Sequence, residues 1–346
     1  VRRVPGDRRF WLGIGISVFF VALLVRSVDG HELLRAFRGI HAGYVVAAVA
    51  VTLLSYLVRA LRWKYLLSPL GETRFANLCS ATLIGYMANN LLPARLGEFI
   101  RAWVLARREE MEPGSVFATL VLDRLTDGFT VLLFLLATLF TLQLPAGSEA
   151  IGQGLVIGGY MMLGLYAVVV VALVLLKRKT AASLRFLERL LRPFPARLAE
   201  RVIPLVGSFL GGVRISPRPR EWWAVGSTSV AIWVLAVIPV DLVLRAFGFS
   251  FPFAVSLFIL VLLVFAVMVP ASPGYVGTYH AACVYGLLAF GVPRETALSA
   301  AIVIHGINYV PVIAVGIAFL WREGLSLKAL RCSGPLPGAG TPSGGK

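Results

Sequence analysis

Residues 88–103 read ANNLLPARLGEFIRAW. Two amides, a proline, two arginines and a glutamate interrupt a region flanked by apolar sequence. Whether this stretch lies in water or at membrane depth decides the fold. The 346-residue chain is 58% hydrophobic and only 14% charged, with a mean hydropathy of +0.83. Soluble domains carry about 25% charged and about 45–50% apolar residues, so the deficit of charge indicates a polytopic membrane protein. The net charge of +16 and pI of 10.5 would suit nucleic acid. The basic residues, however, gather between the apolar runs, as they do in cytoplasmic loops, so an anionic bilayer surface is the expected partner and nucleic acid is not.

A spanning helix needs about 20 mostly apolar residues. The runs 10–25, 43–61, 115–143, 151–176, 222–247 and 297–321 satisfy this. Two others, 75–92 and 253–269, run into breaks at Pro93 and at Pro270/Pro273, and each is followed by a helix-compatible stretch, 96–107 and 277–291. The first run lacks a small-residue cleavage site and reads as an anchor. Basic residues crowd the N-terminus, close the second helix ahead of residues 64–74 at Arg59, Arg62 and Lys64, and fill the connection 177–220, whereas PAGSEA at 145–150 has none. The positive-inside rule puts the former in the cytoplasm, with both termini, and the latter outside.

Parity then answers the opening question. Helix 115–143 ends outside and so begins inside, where the chain already stood at Lys64. Residues 75–107 must enter and leave by one face, as a re-entrant hairpin, and irregular backbone at membrane depth requires cover from protein or a water-filled cavity. The second half repeats the arrangement upside down. PARLGEF at 93–99 and PGYVGTY at 273–279 both read Pro-x-x-[Leu/Val]-Gly-x-[Phe/Tyr], 180 residues apart. The expected fold is an all-α membrane helix bundle. Two proline-broken hairpins form an inverted repeat whose halves are about 10–143 and 151–325, within one membrane domain, 1–331. Between the halves, residues 180–202 alternate arginine with leucine at helical spacing, which fits amphipathic surface helices or a solvated linker. Residues 332–346 have the composition of a disordered tail. Their GTPSGGK ends the given sequence without the following helix a phosphate loop needs.

Several positions carry chemistry. In LDRLTDG, Asp123 and Asp127 share a helix face and Arg124 reaches Asp127 at i,i+3. At about 1.5 Å per residue Asp123 lies roughly 12 Å from the helix start, near the bilayer midplane, where ionisable groups face the bundle interior or an aqueous path. Two readings stand: an ion pair locking helices together, or a polar pocket shared with Arg95, Glu98 and Arg101 that suits a phosphate group. Arg59 and Arg62 read as snorkelling anchors with Trp63 at the interface, or as phosphate contacts. Asn89 and Asn90 border the first break, and Tyr275, Tyr279 and His280, with His305 and Asn308, border the second. The histidines are either hydrogen-bonded structure or a proton relay. Pro93, Gly97, Pro270, Pro273, Gly274 and Gly277 serve the backbone of the two hairpins. Cys79, Cys283 and Cys332 have no paired spacing and read as apolar filler. Neither a hydrolase, a metalloprotease nor an aspartate-rich metal motif occurs, so no catalytic residue, metal or cofactor is expected.

RALRW at 59–63, NNLLPARLGEFIRAW at 89–103, DRLTD at 123–127 and PGYVGTYHA at 273–281 resemble the lysylphosphatidylglycerol synthase transmembrane, or flippase-like, family over residues 10–325. The resemblance implies movement of a phospholipid between leaflets. It also carries departures: many relatives have glutamate-arginine where this chain has Asp123-Arg124, and some have an acidic residue in place of His280. The expected function is translocation of an anionic phospholipid or polyprenyl-phosphate lipid across the plasma membrane. The alternatives are an accessory subunit presenting a lipid-linked intermediate to a separate transferase, and an intramembrane transferase using Asp123 and Glu98.

Overall fold

The computed structural model describes residues 30–92, 96–142, 145, 149–214, 216–268 and 273–324. Among these the chain is all-helical, without strands. The expected first span at 10–25, the tail, Pro93, Arg95 and Pro270 lie outside the described residues.

The helices are α1 (Gly30–Arg38), α2 (Ala42–Leu67), α3 (Phe75–Leu91), α4 (Gly97–Arg108), α5 (Pro113–Thr141), α6 (Glu149–Arg178), α7 (Thr180–Leu191), α8 (Ala196–Gly212), α9 (Pro219–Ala246), α10 (Phe253–Met268), α11 (Thr278–Leu288) and α12 (Arg294–Arg322). Prolines at the first position of α5 and α9 start those helices where a backbone N–H is not needed. Helices α2, α6, α9 and α12 are long and apolar enough to cross a membrane. α5 is as long, at 29 residues, but carries Asp123, Arg124 and Asp127 in mid-course.

A correspondence of lengths runs along the chain. α2, α3, α4 and α5 have 26, 17, 12 and 29 residues. α9, α10, α11 and α12 have 28, 16, 11 and 29. Each short pair flanks one of the two breaks. An arm of 17 residues is roughly 25 Å long, less than the roughly 30 Å hydrocarbon core. The buried apolar residues fall into two clusters. One centres on α2–α5 and includes Trp63, Ile84, Met87 and Leu105. The other centres on α9–α12 and includes Val243, Phe258, Val284 and Ile304.

Glycines hold the first hairpin shut. A Cβ on Gly97 would collide with the carbonyl of Gly85, and one on Gly85 would come within 2.7 Å of the Arg101 Cβ. Backbones at that separation exclude any larger residue. Gly316 of α12 seats against Met87 of α3 in the same way, joining the halves. The connection after α6 forms two helices, α7 and α8. α8 lies along the start of α5, with Gly212 against Ser115 and the Ser115 hydroxyl donating to the Ser208 carbonyl at 2.9 Å. α6 is peripheral: only Leu155 and Met162 are buried along its length, as suits a helix facing lipid.

Candidate functional site

α2, α3, α4, α5 and α9 converge on a buried cluster of charges. At its centre, the Arg62 Nε donates to Asp123 Oδ1 at 2.9 Å. Its Nη2 lies 2.8 Å from both Asp123 Oδ1 and Asp127 Oδ1, and its Nη1 donates to Ser229 Oγ at 3.2 Å. Arg101 reaches Asp123 Oδ2 at 3.2 Å. Its guanidinium stacks 4.0 Å over the Trp63 ring, whose indole N–H donates to Thr119 at 2.9 Å. Arg62, Trp63 and Asp123 are fully buried and Arg101 nearly so. Arg62 and Trp63 are therefore not interfacial anchors: α2 continues to Leu67 and turns them into the bundle, where two aspartates compensate the guanidinium. The snorkelling reading is corrected for this pair.

Outward from the centre, Arg59 donates to Asp127 at 3.4 Å and to the Tyr86 hydroxyl at 3.2 Å. Arg124 bonds Asp127 at 3.2 Å, Glu98 at 2.7 Å and the Tyr86 hydroxyl at 3.2 Å. Trp233 of α9 donates its indole N–H to Asp127 at 3.3 Å. Arg124 is the exposed member: its side chain is 40% accessible, and with Glu98 it forms the mouth of the cluster beside the first break. Asn89 ties that break together. Its Oδ1 accepts from the Gly97 N–H at 2.7 Å and its Nδ2 donates to Glu98 at 2.9 Å, satisfying an orphan donor at the start of α4. Asn90 is half-buried beside it, outside this network.

The balance of charge defines what the cluster can hold. Four guanidiniums, Arg59, Arg62, Arg101 and Arg124, face three carboxylates, Glu98, Asp123 and Asp127. The Nε and Nη2 of Arg101 are buried without an acceptor among the described residues. A buried guanidinium with unused N–H groups, in a cluster of four cations and three carboxylates, matches a phosphate or carboxylate oxygen in charge and geometry.

The second break builds a different site. Gly274, Tyr275 and Gly277 have φ of 80°, 54° and 97°, so the chain turns through left-handed backbone that glycine takes freely and tyrosine rarely does. The Gly277 N–H faces His280 Nδ1 at 3.4 Å, and His280 Nε2 meets His305 Nδ1 at 3.3 Å. Tyr279 stacks on His305 at 4.9 Å between ring centroids, and Tyr309 meets it edge-on at 4.2 Å. Asn308 donates to the Ile304 carbonyl one turn back at 2.8 Å. The structure thus separates the expected residues into two groups: Arg59, Arg62, Glu98, Arg101, Asp123, Arg124 and Asp127 in one, with Asn89 adjoining, and Tyr279, His280 and His305 in the other. Tyr86, Ser229 and Trp233 join the first group without having been expected. Their only sequence signal is a polar or amphipathic side chain inside an apolar run.

Comparison with known proteins agrees with this architecture. The family model described as the lysylphosphatidylglycerol synthase TM region matches residues 10–316. The chain belongs to that family. It is 26% identical to the glycosyltransferase AglD of Haloferax volcanii over 343 aligned residues, which cover 91% of this chain and 54% of AglD. The chain therefore spans about half the length of that relative. It is also 26% identical to a UPF0104 membrane protein of Methanothermobacter thermautotrophicus, covering 91% of this chain and 95% of that protein. A Pyrococcus horikoshii UPF0104 membrane protein is 25% identical, with coverage of 90% and 96%. Membership of this family, together with four membrane-length apolar helices, makes the chain a multi-pass membrane protein with a function related to membrane lipids.

Proposed function

We propose that the protein translocates a phosphate-bearing lipid, an anionic phospholipid or a polyprenyl phosphate, between leaflets of the plasma membrane. The observation that carries this reading is the Arg101 guanidinium, buried with its Nε and Nη2 without an acceptor among the described residues, in a cluster where four guanidiniums face three carboxylates. The head group enters at Arg124 and Glu98, the accessible edge beside the first break. There the lipid phosphate displaces the Glu98 carboxylate from Arg124, and the acyl or prenyl tails remain in the surrounding bilayer.

The matching helix lengths of α2–α5 and α9–α12 support an inverted repeat with re-entrant hairpins, the architecture in which one repeat rocks against the other to alternate access. In this arrangement both termini and residues 177–220 are cytoplasmic. A second reading, favoured by the match to about half of a glycosyltransferase, is that the protein binds a lipid-linked intermediate and presents it to a separate transferase. Purified protein reconstituted alone with fluorescent lipids of several head groups separates the two. Translocation predicts leaflet exchange above the protein-free rate for phosphate-bearing lipids, reduced by Arg101→Met. Presentation predicts binding of the same lipids with exchange at the protein-free rate.

A further inference from the structure

We propose that His280 and His305 form a proton-binding site, holding one exchangeable proton whose arrival remodels the second break. The hydrogen-bond directions lead to this. A backbone N–H can only donate, so the Gly277 N–H makes His280 Nδ1 an acceptor. A neutral His280 then carries its proton on Nε2 and donates to His305 Nδ1, 3.3 Å away. His305 in turn carries its proton on Nε2. In the neutral pair both basic nitrogens are thus already occupied by donors.

One more proton cannot be added without loss of a hydrogen bond. If it settles on His305 Nδ1, that N–H confronts the His280 Nε2–H and the bond between the rings breaks. If His280 shifts tautomer to restore the ring-to-ring bond, its Nδ1–H confronts the Gly277 N–H and α11 loses the contact that starts it. A second proton is opposed by the first across a ring separation of 4.8 Å. The site therefore has two states, empty and singly occupied. They differ in geometry beside Tyr275, which already holds left-handed backbone between Gly274 and Gly277.

Among the described residues, the groups around the pair are neutral side chains and ion pairs that do not reach it. Both imidazoles are half-buried. The titratable groups around them are Tyr279 and Cys283 of α11, Tyr309 of α12, Tyr275 in the break and, through Tyr279, Tyr56 of α2. α10 contributes no titratable side chain, and on α3 Tyr86 packs against Tyr56. The charges in the last turns of α9, Asp241 and Arg245, bond each other at 2.6 Å. On α1, Arg35 lines a cleft with Glu295 at the start of α12, about three helical turns from His305. None of the ion pairs found among the described residues reaches either ring. The break also touches α3, the helix that brings Tyr86 to the arginine cluster, so a change in its shape is felt by the first hairpin. Coupling of this proton to lipid movement rests on the translocation reading above; the proton site does not.

The test has two arms on the full chain. In lipid nanodiscs, histidine labelled with 13C and 15N is titrated by NMR from about pH 8 to about pH 4, across the ordinary imidazole value of about 6.5. His280 and His305 should change together, taking up a single proton between them. His305→Gln should abolish the joint behaviour at His280, and His305→Phe, which keeps the stacking on Tyr279, should do the same in a folded protein. Independent titration of the two rings, or no uptake by either, overturns the site. In vesicles, an imposed proton gradient should change the rate of leaflet exchange of a fluorescent phospholipid, and the ratio of rates with and without the gradient should fall to one in His305→Gln. A ratio unaltered by the substitution overturns the coupling. Absence of exchange in all vesicles overturns the translocation reading, with the NMR arm still deciding the proton site.

Discussion

Asp123 is the carboxylate on which the buried cluster turns, and its removal has a magnitude that the structure sets. It accepts from Arg62 at 2.9 Å and faces Arg101 at 3.2 Å, with no exposure to solvent. At 3.2 Å and an effective dielectric of about 20, one such pair of unit charges attracts by about 5 kcal/mol. Breaking a buried pair from one side costs about 3–5 kcal/mol, because the remaining charge keeps its desolvation penalty without its partner. Asp123→Asn keeps the shape but leaves four guanidiniums facing two carboxylates, with Arg101 stripped of its carboxylate partner. The expected loss of stability is about 3–5 kcal/mol. Arg101→Met leaves Asp123 bonded to Arg62, and costs about 1.5–3 kcal/mol, the worth of a hydrogen bond to a charged group. The double variant restores the excess of one cation, so it should recover about 1–3 kcal/mol relative to the sum of the single losses. Unfolding in mixed micelles titrated with dodecyl sulfate, followed by circular dichroism, measures all three. An Asp123→Asn protein within about 0.5 kcal/mol of wild type, the range of surface substitutions, or strictly additive losses, would refute the argument.

Gly97→Leu should lower the yield of monodisperse protein by driving a side chain into the Gly85 carbonyl, an overpacking penalty of at least about 1–3 kcal/mol; Gly164→Leu, in open space on α6, should leave size-exclusion profiles unchanged. Glu98→Gln frees Arg124 from its 2.7 Å partner, so lipid binding measured by native mass spectrometry should tighten while exchange slows. Arg95→Lys keeps the charge but loses the planar fork, so exchange should fall with folding intact. Cysteines at positions 146 and 293 should react with an impermeant maleimide from outside, and those at 70 and 215 only after permeabilisation. External labelling at 70 would remove the inverted topology.

The helical class and most of the boundaries were legible because long apolar runs and loop charges are local signals. The partnership of Glu98, Arg101, Asp123, Arg124 and Asp127 was also legible, since charge at membrane depth has few places to go. The role of Arg62 was not. It lies two residues from Lys64 near a helix end, where a snorkelling side chain and an inward one have the same sequence; only the packing of α2 on α5 and α9 decides between them. Tyr86, Ser229 and Trp233 were illegible for a related reason. Each is ordinary in an apolar helix, and its function as a hydrogen-bond partner exists only once α3, α5 and α9 meet. The second hairpin announced its histidines, but their direct bond depends on the register between α11 and α12.

The charge cluster also constrains how the protein is made. A charged residue at the centre of a membrane helix costs about 2.5–3.5 kcal/mol on the insertion scale, and α5 carries three. It is a poor candidate for leaving the translocon unaided. Its partners Arg59 and Arg62 on α2, and Arg101 on α4, are synthesised before it and wait in the bilayer without their aspartates until Asp123 and Asp127 arrive. Helix insertion and ion pairing are then one event, with α5 retained at the translocon until it finds its neighbours. A nascent chain stalled before α5 leaves Arg59, Arg62 and Arg101 in the membrane without their aspartate partners.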